Sequence, residues 1–366
     1  MNSEPTVLLD LTQYPLVRVP MDPVQYTLDR LCTNCGLRFW HIDPLVRHCG
    51  DRDCNSQNPE YKTYNPVHLG VKPLHEALSE FKSFFYNKKF SFLRDPVLLK
   101  RSKPTLKISS TDMNFMTAGI SAFETLMDPA NPRTEIFSNR LLISNQYCYR
   151  FYDHKNVQHT GRHSTGFFMS SLHCFESLTQ GFIPTWKQQF LSAVMEYFLI
   201  HLGVPLKNLY VHGDSWTDGI NYGPCAEIFV NGEEKGNCVF TTHYTTGEPR
   251  ATKFLDVGLG GQRIAALAGY QYVYAQDRTK DHVRNLVLAF NDMLYPCKTG
   301  PGYNIRKMLQ YLYSQGYKTA QQLKTIAQPV VRDLSLCTSE DLDRFYAYYD
   351  LISQSEYPRY DKYKTT

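Results

Sequence analysis

The sequence predicts an α+β fold in which helices pack on a mainly antiparallel sheet, with a compact cysteine-rich segment in front and a helical unit behind. Three observations carry this. Strand-like and helical runs mix without the regular alternation that a doubly wound parallel sheet requires. Two β-rich runs, CAEIFV and CVFTTHY, flank the polar segment NGEEKGN, whose Asn-Gly pair suggests a hairpin. After Asp277 the apolar residues recur at helical spacing.

Taken in order, residues 1 to about 30 hold scattered prolines and no clear period, which reads as an extended lead-in. The cysteine-rich segment occupies residues 31–60. From Pro73, the residues Leu74, Leu78, Phe81 and Phe85 keep one face apolar, as a core-facing helix requires. Phe190, Leu191, Val194 and Phe198 repeat the pattern, and Leu202-Gly203 closes that run. These elements fall in a stretch taken as one unit, residues 70–275. In the helical unit, residues 276–366, one stripe is Val283, Leu286, Val287, Phe290 and Leu294, and another is Ile305, Met308, Leu309 and Leu312. The tail SEYPRYDKYKTT reads as frayed.

Hydrophobic residues make up 42% of the 366 and charged residues 20%, the balance of a folded globular chain. No apolar run is long enough to cross a bilayer, and the start MNSEPTVLLDLTQYP lacks a basic n-region, so a cytoplasmic protein without membrane contact is expected. A net charge of +4 permits an anionic ligand but is far from that of a dedicated polybasic binder. Ten cysteines without a secretion signal are expected to be reduced, so clustered ones are read first as metal ligands.

Cys32 and Cys35 form a C-x2-C pair, and Cys49 and Cys54 a C-x4-C pair. Two such knuckles can enclose one tetrahedral Zn2+, and four thiolates leave no open position, so the site would be structural. The alternative is four reduced thiols in a loop. His41 and His48 stand nearby as potential substitutes for a sulfur.

Three further segments hold polar residues that periodicity does not explain. In NQYCYR and HTGRHSTGFFM, Arg150, Arg162 and His163 sit among aromatics, and guanidinium forks suit phosphate oxygens. A solvated basic loop is the plainer alternative. In NYGPCAEIFV, Glu227 falls inside an apolar strand, where a carboxylate needs either a ligand or a hydrogen-bonding neighbour. In FLDVGLGGQRIAAL, Asp256 ends a strand-like stretch, and Gly258, Gly260 and Gly261 lead to Arg263 at the start of an apolar helix. The full G-x-G-x-x-G fingerprint is absent, and an arginine takes its place.

In order and wording these segments resemble the alanyl-tRNA synthetase family, a class II family, and specifically its archaeal-type branch. LCTNCGLRFWHIDPLVRHCGDRDC is similar to that branch's N-terminal zinc ribbon, and TDMNFMTAGISAF to the family's T-x-A-G segment. NQYCYR…TGRHSTGFFM resembles motif 2, NYGPCAEIFV…NCVF the amino-acid pocket hairpin, and LDVGLGGQR motif 3. The resemblance runs in register from about residue 31 to about 313.

The resemblance implies a class II antiparallel sheet and ATP-dependent activation of alanine, or another small amino acid, to an aminoacyl adenylate. It implies that Arg150 holds the α-phosphate and the substrate carboxylate, and that Arg263 holds the γ-phosphate. Arg162, His163, Phe167 and Glu227 would complete the ATP site. Asp256 would accept the substrate's amino group, with Val239 and Gly258 limiting its side chain. ATP, Mg2+ and a structural Zn2+ are the implied cofactors.

Two departures from the family pattern are visible. Phe168 stands where a glutamate that orients the adenine is expected, which implies altered nucleotide contacts. Lys298, in PCKTGPGYNIR, takes the place of an asparagine that helps to read tRNA, while Arg306 is kept. The editing and C-terminal domains have no counterpart, so the expected acceptor is either tRNA or a carrier protein or small molecule. A non-catalytic paralogue that binds tRNA or a partner synthetase is the competing reading. Class II enzymes are often homodimers, and Phe84-Phe85-Tyr86 is a candidate interface.

Overall fold

The computed structural model describes residues 30–41, 43, 45–51, 54, 73–90, 93–98, 106–108, 113–128, 130–161, 163–183, 185–270, 273–334 and 337–364. All but the last residue of the expected lead-in lies outside the described residues, as does Arg162.

Among the described residues, nine strands form one sheet in the order β1-β2-β8-β9-β10-β11-β7-β6-β3. They are β1 (Arg30–Leu31), β2 (Arg38–Trp40), β3 (Arg94–Leu98), β6 (Arg140–Tyr149), β7 (Gly166–Phe175), β8 (Leu209–Thr217), β9 (Asn221–Val230), β10 (Glu233–Tyr244) and β11 (Pro249–Gly260). Of the pairings, β3 with β6 is parallel and the rest are antiparallel. A separate hairpin joins β4 (Leu106–Ile108) to β5 (Met113–Phe115).

Strand parity assigns the two faces of this sheet, because successive side chains point to opposite sides. Ile143, Leu172, Ile228, Cys238, Leu255, Val257 and Leu259 pack on one side against α1 (Leu74–Asn87) and α3 (Trp186–Glu196), which contribute Phe81, Phe85, Phe190 and Val194. Each of these apolar side chains contributes about 1.5–3 kcal/mol on burial. The intervening positions, among them Ser171, His173, Asn237, Asp256 and Gly258, therefore face the other side. That second face carries the cleft described below.

The expected hairpin is present with a shorter turn than the sequence suggests. Asn231 and Gly232 alone form it, with φ of 57° and 70°, the geometry of a type I′ turn. Glu233 to Asn237, expected in the loop, open β10 instead, with a register shift between Glu234 and Gly236. The turn chemistry of Asn-Gly overrides the polarity of the residues that follow it.

Behind the sheet lie α4 (Gly261–Leu267), α5 (Arg278–Asn291), α6 (Gly300–Ser314), α7 (Ala320–Leu334) and α8 (Ser339–Lys364), whereas α2 (Pro132–Phe137) packs Phe137 with Leu142, Phe175 and Phe254 on the other face. Asp277 caps α5 by accepting from Lys280 N at 3.1 Å. The stripes of α5 and α6 share one apolar cluster with Phe345 and Tyr349 of α8, with Leu74 of α1, and with Tyr147, Tyr149 and Phe168 of the sheet. Leu294 belongs to that cluster although it lies past the end of α5.

Two sequence expectations are corrected here. The tail read as frayed is helical to Lys364. Tyr357 and Tyr360 pack at 5.5 and 6.0 Å from the Tyr313 ring, and Glu356 pairs with Arg306 at 3.2 Å, contacts invisible to local composition. Of the proposed interface, Phe85 is fully buried inside the core, whereas Phe84 is half-buried and Tyr86 is 43% exposed.

Candidate functional site

The cysteine cluster forms the first local centre. The sulfurs of Cys32, Cys35, Cys49 and Cys54 lie within 4.8 Å of one another, with Cys35 and Cys49 at 3.8 Å. Tetrahedral ligands at about 2.3 Å from Zn2+ stand about 3.8 Å apart, so these four thiols fit a zinc ion. Burial and the other sulfurs push Cys49 upward, whereas backbone N–H groups of Cys35 and Asn34 draw Cys32 down to about 6 against its own burial. The knuckles rest on Tyr210 and Phe229, and β2 pairs with β8, which fastens the ribbon to the sheet. His41 and His48 are engaged elsewhere: His41 Nε2 lies 2.8 Å from Lys207 O, and His48 Nδ1 3.3 Å from Thr33 Oγ1.

A cleft of about 840 Å³, counting solvent at its mouth, opens on the second face of the sheet. Arg150, His163, Phe167, Asp256, Gly258 and Arg263 all line it, although 113 residues separate the first from the last. Arg150 follows β6; its Nε donates to Thr117 O at 3.2 Å, and its guanidinium lies 5.0 Å from the Phe167 ring centre. His163 Nδ1 is 2.8 Å from Thr160 Oγ1. Asp256 is 7% exposed on the floor, where β11 runs between β10 and β7.

Arg263, in the first turn of α4, meets the start of β10. Its Nη1 donates to Glu234 O at 2.7 Å and lies 3.5 Å from Glu234 Oε2, while Nε is 3.6 Å from Glu233 Oε1. Glu233 also pairs with the buried Lys235. A cationic end thus faces a carboxylate floor within one cleft. Such a site can take phosphate oxygens and an ammonium group together.

Other expected residues lie off the cleft. Glu227 pairs in the ladder with Asn237 and His212 but does not line the cleft; burial, with Glu234, Asp214 and Asp51 nearby, pushes its carboxyl up to about 7. Val239 lies directly across the β10–β11 ladder from Asp256, on the same face of the sheet, but at 1% exposure it does not line the cleft. Lys298 is exposed, and Arg306 is paired with Glu356; neither lines the cleft.

Phe168 is also misplaced by the sequence reading. Parity gives the cleft to Phe167 and Met169 and turns Phe168 to the helical layer, edge-on to Tyr147 at 5.1 Å. It packs beneath Gly261, where a Cβ would come 2.8 Å from Phe168 Cβ. An adenine in the cleft would not meet this side chain.

The structure adds residues that sequence reasoning missed. Trp216, Lys235, Asn237 and Gln262 line the cleft; Asn237 shares its parity with Val239, a signal that could have found it, whereas the register shift between Glu234 and Gly236 breaks that parity at Lys235. Behind the cleft, Asp281 of α5 is fully buried and accepts from Thr165 N at 3.1 and 3.2 Å. Thr165 O in turn accepts from Arg150 N at 2.8 Å. Arg284, also fully buried, pairs with Asp281 at 3.1 Å and donates to Gly166 O. Burial alone would raise the Asp281 carboxyl, but His282, Arg284 and the Thr165 N–H hold it below the usual carboxylate range. The helical unit thereby grips the strand start that carries the cleft residues.

Residues 78–265, just over half of the chain, match the family model described as tRNA synthetases class II (A). The chain belongs to this class II family. Among its relatives, the alanine–tRNA ligase of Methanococcus maripaludis (strain C6) is 31% identical over 249 residues, 66% of this chain and 26% of the relative. That of Thermofilum pendens is 30% identical over 276 residues, 72% of this chain and 28% of the relative. The class II chain thus spans about a quarter of the length of the curated relatives it matches. A solved pyrrolysyl tRNA synthetase from Desulfitobacterium hafniense aligns at a TM-score of 0.33 and 13% identity, covering 55% of this chain and 72% of that one, and nothing is built on so low a score.

Proposed function

We propose that this protein activates a small amino acid, alanine before others, with ATP and passes the acyl group to an acceptor. The observation that carries the proposal is the meeting of Arg150, Asp256 and Arg263 in one cleft. Alanine is favoured because the two relatives described above are alanine–tRNA ligases.

In this reading the Asp256 carboxylate holds the ammonium of the amino acid, and Arg150 draws the substrate carboxylate toward the α-phosphorus. One carboxylate oxygen bonds to that phosphorus as the bond to the bridging oxygen breaks, giving aminoacyl-AMP and pyrophosphate. Arg150 offsets the charge that builds at phosphorus, and Arg263 exchanges its contact with Glu234 for the terminal phosphate. His163 and Phe167 flank the nucleotide. Holding both reactants in line supplies most of the acceleration, and no covalent enzyme intermediate is needed. Mg2+ enters with the triphosphate as part of the substrate and neutralises its charge. A zinc ion held by the four cysteines, none of which lines the cleft, would keep the ribbon on the sheet. For the transfer step, Lys298 and Arg306 are the proposed acceptor contacts, with tRNA and a carrier as the two candidate acceptors.

Amino-acid-dependent ATP–pyrophosphate exchange tests the proposal. Exchange with alanine above the other amino acids is expected. No exchange with any amino acid would leave the binding-only paralogue as the reading, and exchange without charging of total tRNA would select the carrier.

A further inference from the structure

β7 carries an imidazole that has no part in the reaction outlined above. His173 is 0% exposed, on the cleft-facing side of the sheet, and lies directly across the β7–β11 ladder from Asp256. Its Nδ1 is 3.2 Å from Asp256 Oδ1 but off the donor axis, and among the described residues neither ring nitrogen has an aligned hydrogen-bond partner. The ring is fixed by its surroundings: Phe123 stands 4.7 Å away between centroids, and a Cβ on the cleft residue Gly119 would come within 3.4 Å of Nε2.

Apolar packing alone does not account for this residue. A leucine would fill the space against Phe123 without burying two polar nitrogens, and a buried donor with no aligned acceptor is costly. The floor carboxylate stands 3.2 Å from Nδ1, close enough to accept from it. Functional hydrogen bonds are often poorly aligned in ligand-free proteins and tighten when the substrate arrives. We propose that His173 is a positioning residue for amino-acid recognition: its Nδ1–H engages Asp256 Oδ1 and turns the second carboxylate oxygen toward a substrate ammonium. The inference rests on the amine-binding role proposed for Asp256 and deepens it. The Nδ1–H tautomer is assigned from this acceptor. The ligand class is an α-amino acid, not its hydroxy or deamino analogue, because the arrangement presents anionic oxygen to a cation.

The test uses ATP–pyrophosphate exchange with the full chain and three forms of residue 173. His173→Leu is expected to raise the KM for alanine on the order of tenfold, the worth of a charge-assisted hydrogen bond, with the KM for ATP unchanged. It is also expected to lower the preference for alanine over lactate, the hydroxy acid of the same shape. His173→Asn, which keeps an N–H near the Nδ1 position, is expected to restore most of both. A merely structural histidine would raise both KM values together and leave the alanine-to-lactate ratio alone, and that result overturns the proposal. Should the leucine variant fail to fold, nitrogen NMR of the wild-type imidazole decides: alanine alone is expected to shift the Nδ1 resonance, and a silent resonance at saturation overturns the idea. Absence of any exchange by the wild type would instead remove the activation reading, a failure distinguishable from these.

Discussion

Replacing Glu227 by glutamine separates the sequence reading of this residue from its structural setting. Burial, with Glu234, Asp214 and Asp51 behind it, moves its carboxyl from 4.5 up to about 7. Below pH 4.5 the group is neutral whether the chain is folded or not, so it costs nothing. Between 4.5 and about 7 the unfolded chain has lost the proton that the folded one keeps, so stability falls as pH rises. Above about 7 both states are ionised and the full penalty is present. At about 1.36 kcal/mol for each unit, the ceiling is roughly 3 kcal/mol; Glu227 is only partly buried, so about 1–3 kcal/mol is expected. Glutamine keeps the shape of the protonated acid and never ionises. Glu227→Gln should therefore melt about 2–10 °C higher than the wild type at pH 8 but at nearly the wild-type temperature at pH 4.5, by scanning calorimetry. Because Glu227 lies off the cleft, the KM for ATP should stay within about twofold, a change worth under 0.5 kcal/mol. Equal melting shifts at both pH values, or a variant less stable at pH 8, would refute the electrostatic reasoning, and a large loss of ATP affinity would return Glu227 to the nucleotide site.

Asp281→Asn leaves the buried Arg284 without its carboxylate, which should cost about 3–5 kcal/mol and lower the melting temperature at neutral pH. The wild-type contribution of a depressed carboxyl fades as pH falls below about 4, so the two proteins should converge in acid; a constant gap would contradict the pairing. Purified protein should carry one zinc per chain by elemental analysis, and chelation or Cys49→Ser should lower the melting temperature. Metal-free protein of undiminished stability would remove that centre. Arg263→Ala should reduce exchange by about 10²–10³-fold through loss of transition-state charge stabilisation, and Asp256→Asn should raise the KM for alanine more than that for ATP. Unchanged exchange in the Arg263 variant would detach α4 from the chemistry.

The residues that carry the proposed chemistry were legible because each sits in a short segment whose composition is locally unusual. Arg150 among aromatics, Asp256 before a glycine run and Arg263 at a helix start each break the pattern of their element. Glu227 stands out in the same way and Val239 comes from the family likeness alone, yet neither lines the cleft, since a ladder and not a motif decides which neighbour covers a side chain. His173 and Asp281 were missed for the opposite reason. Each lies in a run whose apolar period is satisfied, and their importance comes from what stands across the sheet or behind it.

The chain by itself determined the α+β class, the core-facing stripes of the helices, the thiol spacing and the family likeness, because periodicity, turn chemistry and ligand spacing are written in adjacent residues. Only the tertiary structure decided that Phe168 leaves the cleft to Phe167 and Met169, that the tyrosine-rich tail is helical, and that Asp281 reaches Arg150 through Thr165. Those outcomes depend on strand register and on which buried charges meet, and both are fixed by contacts between residues far apart in sequence.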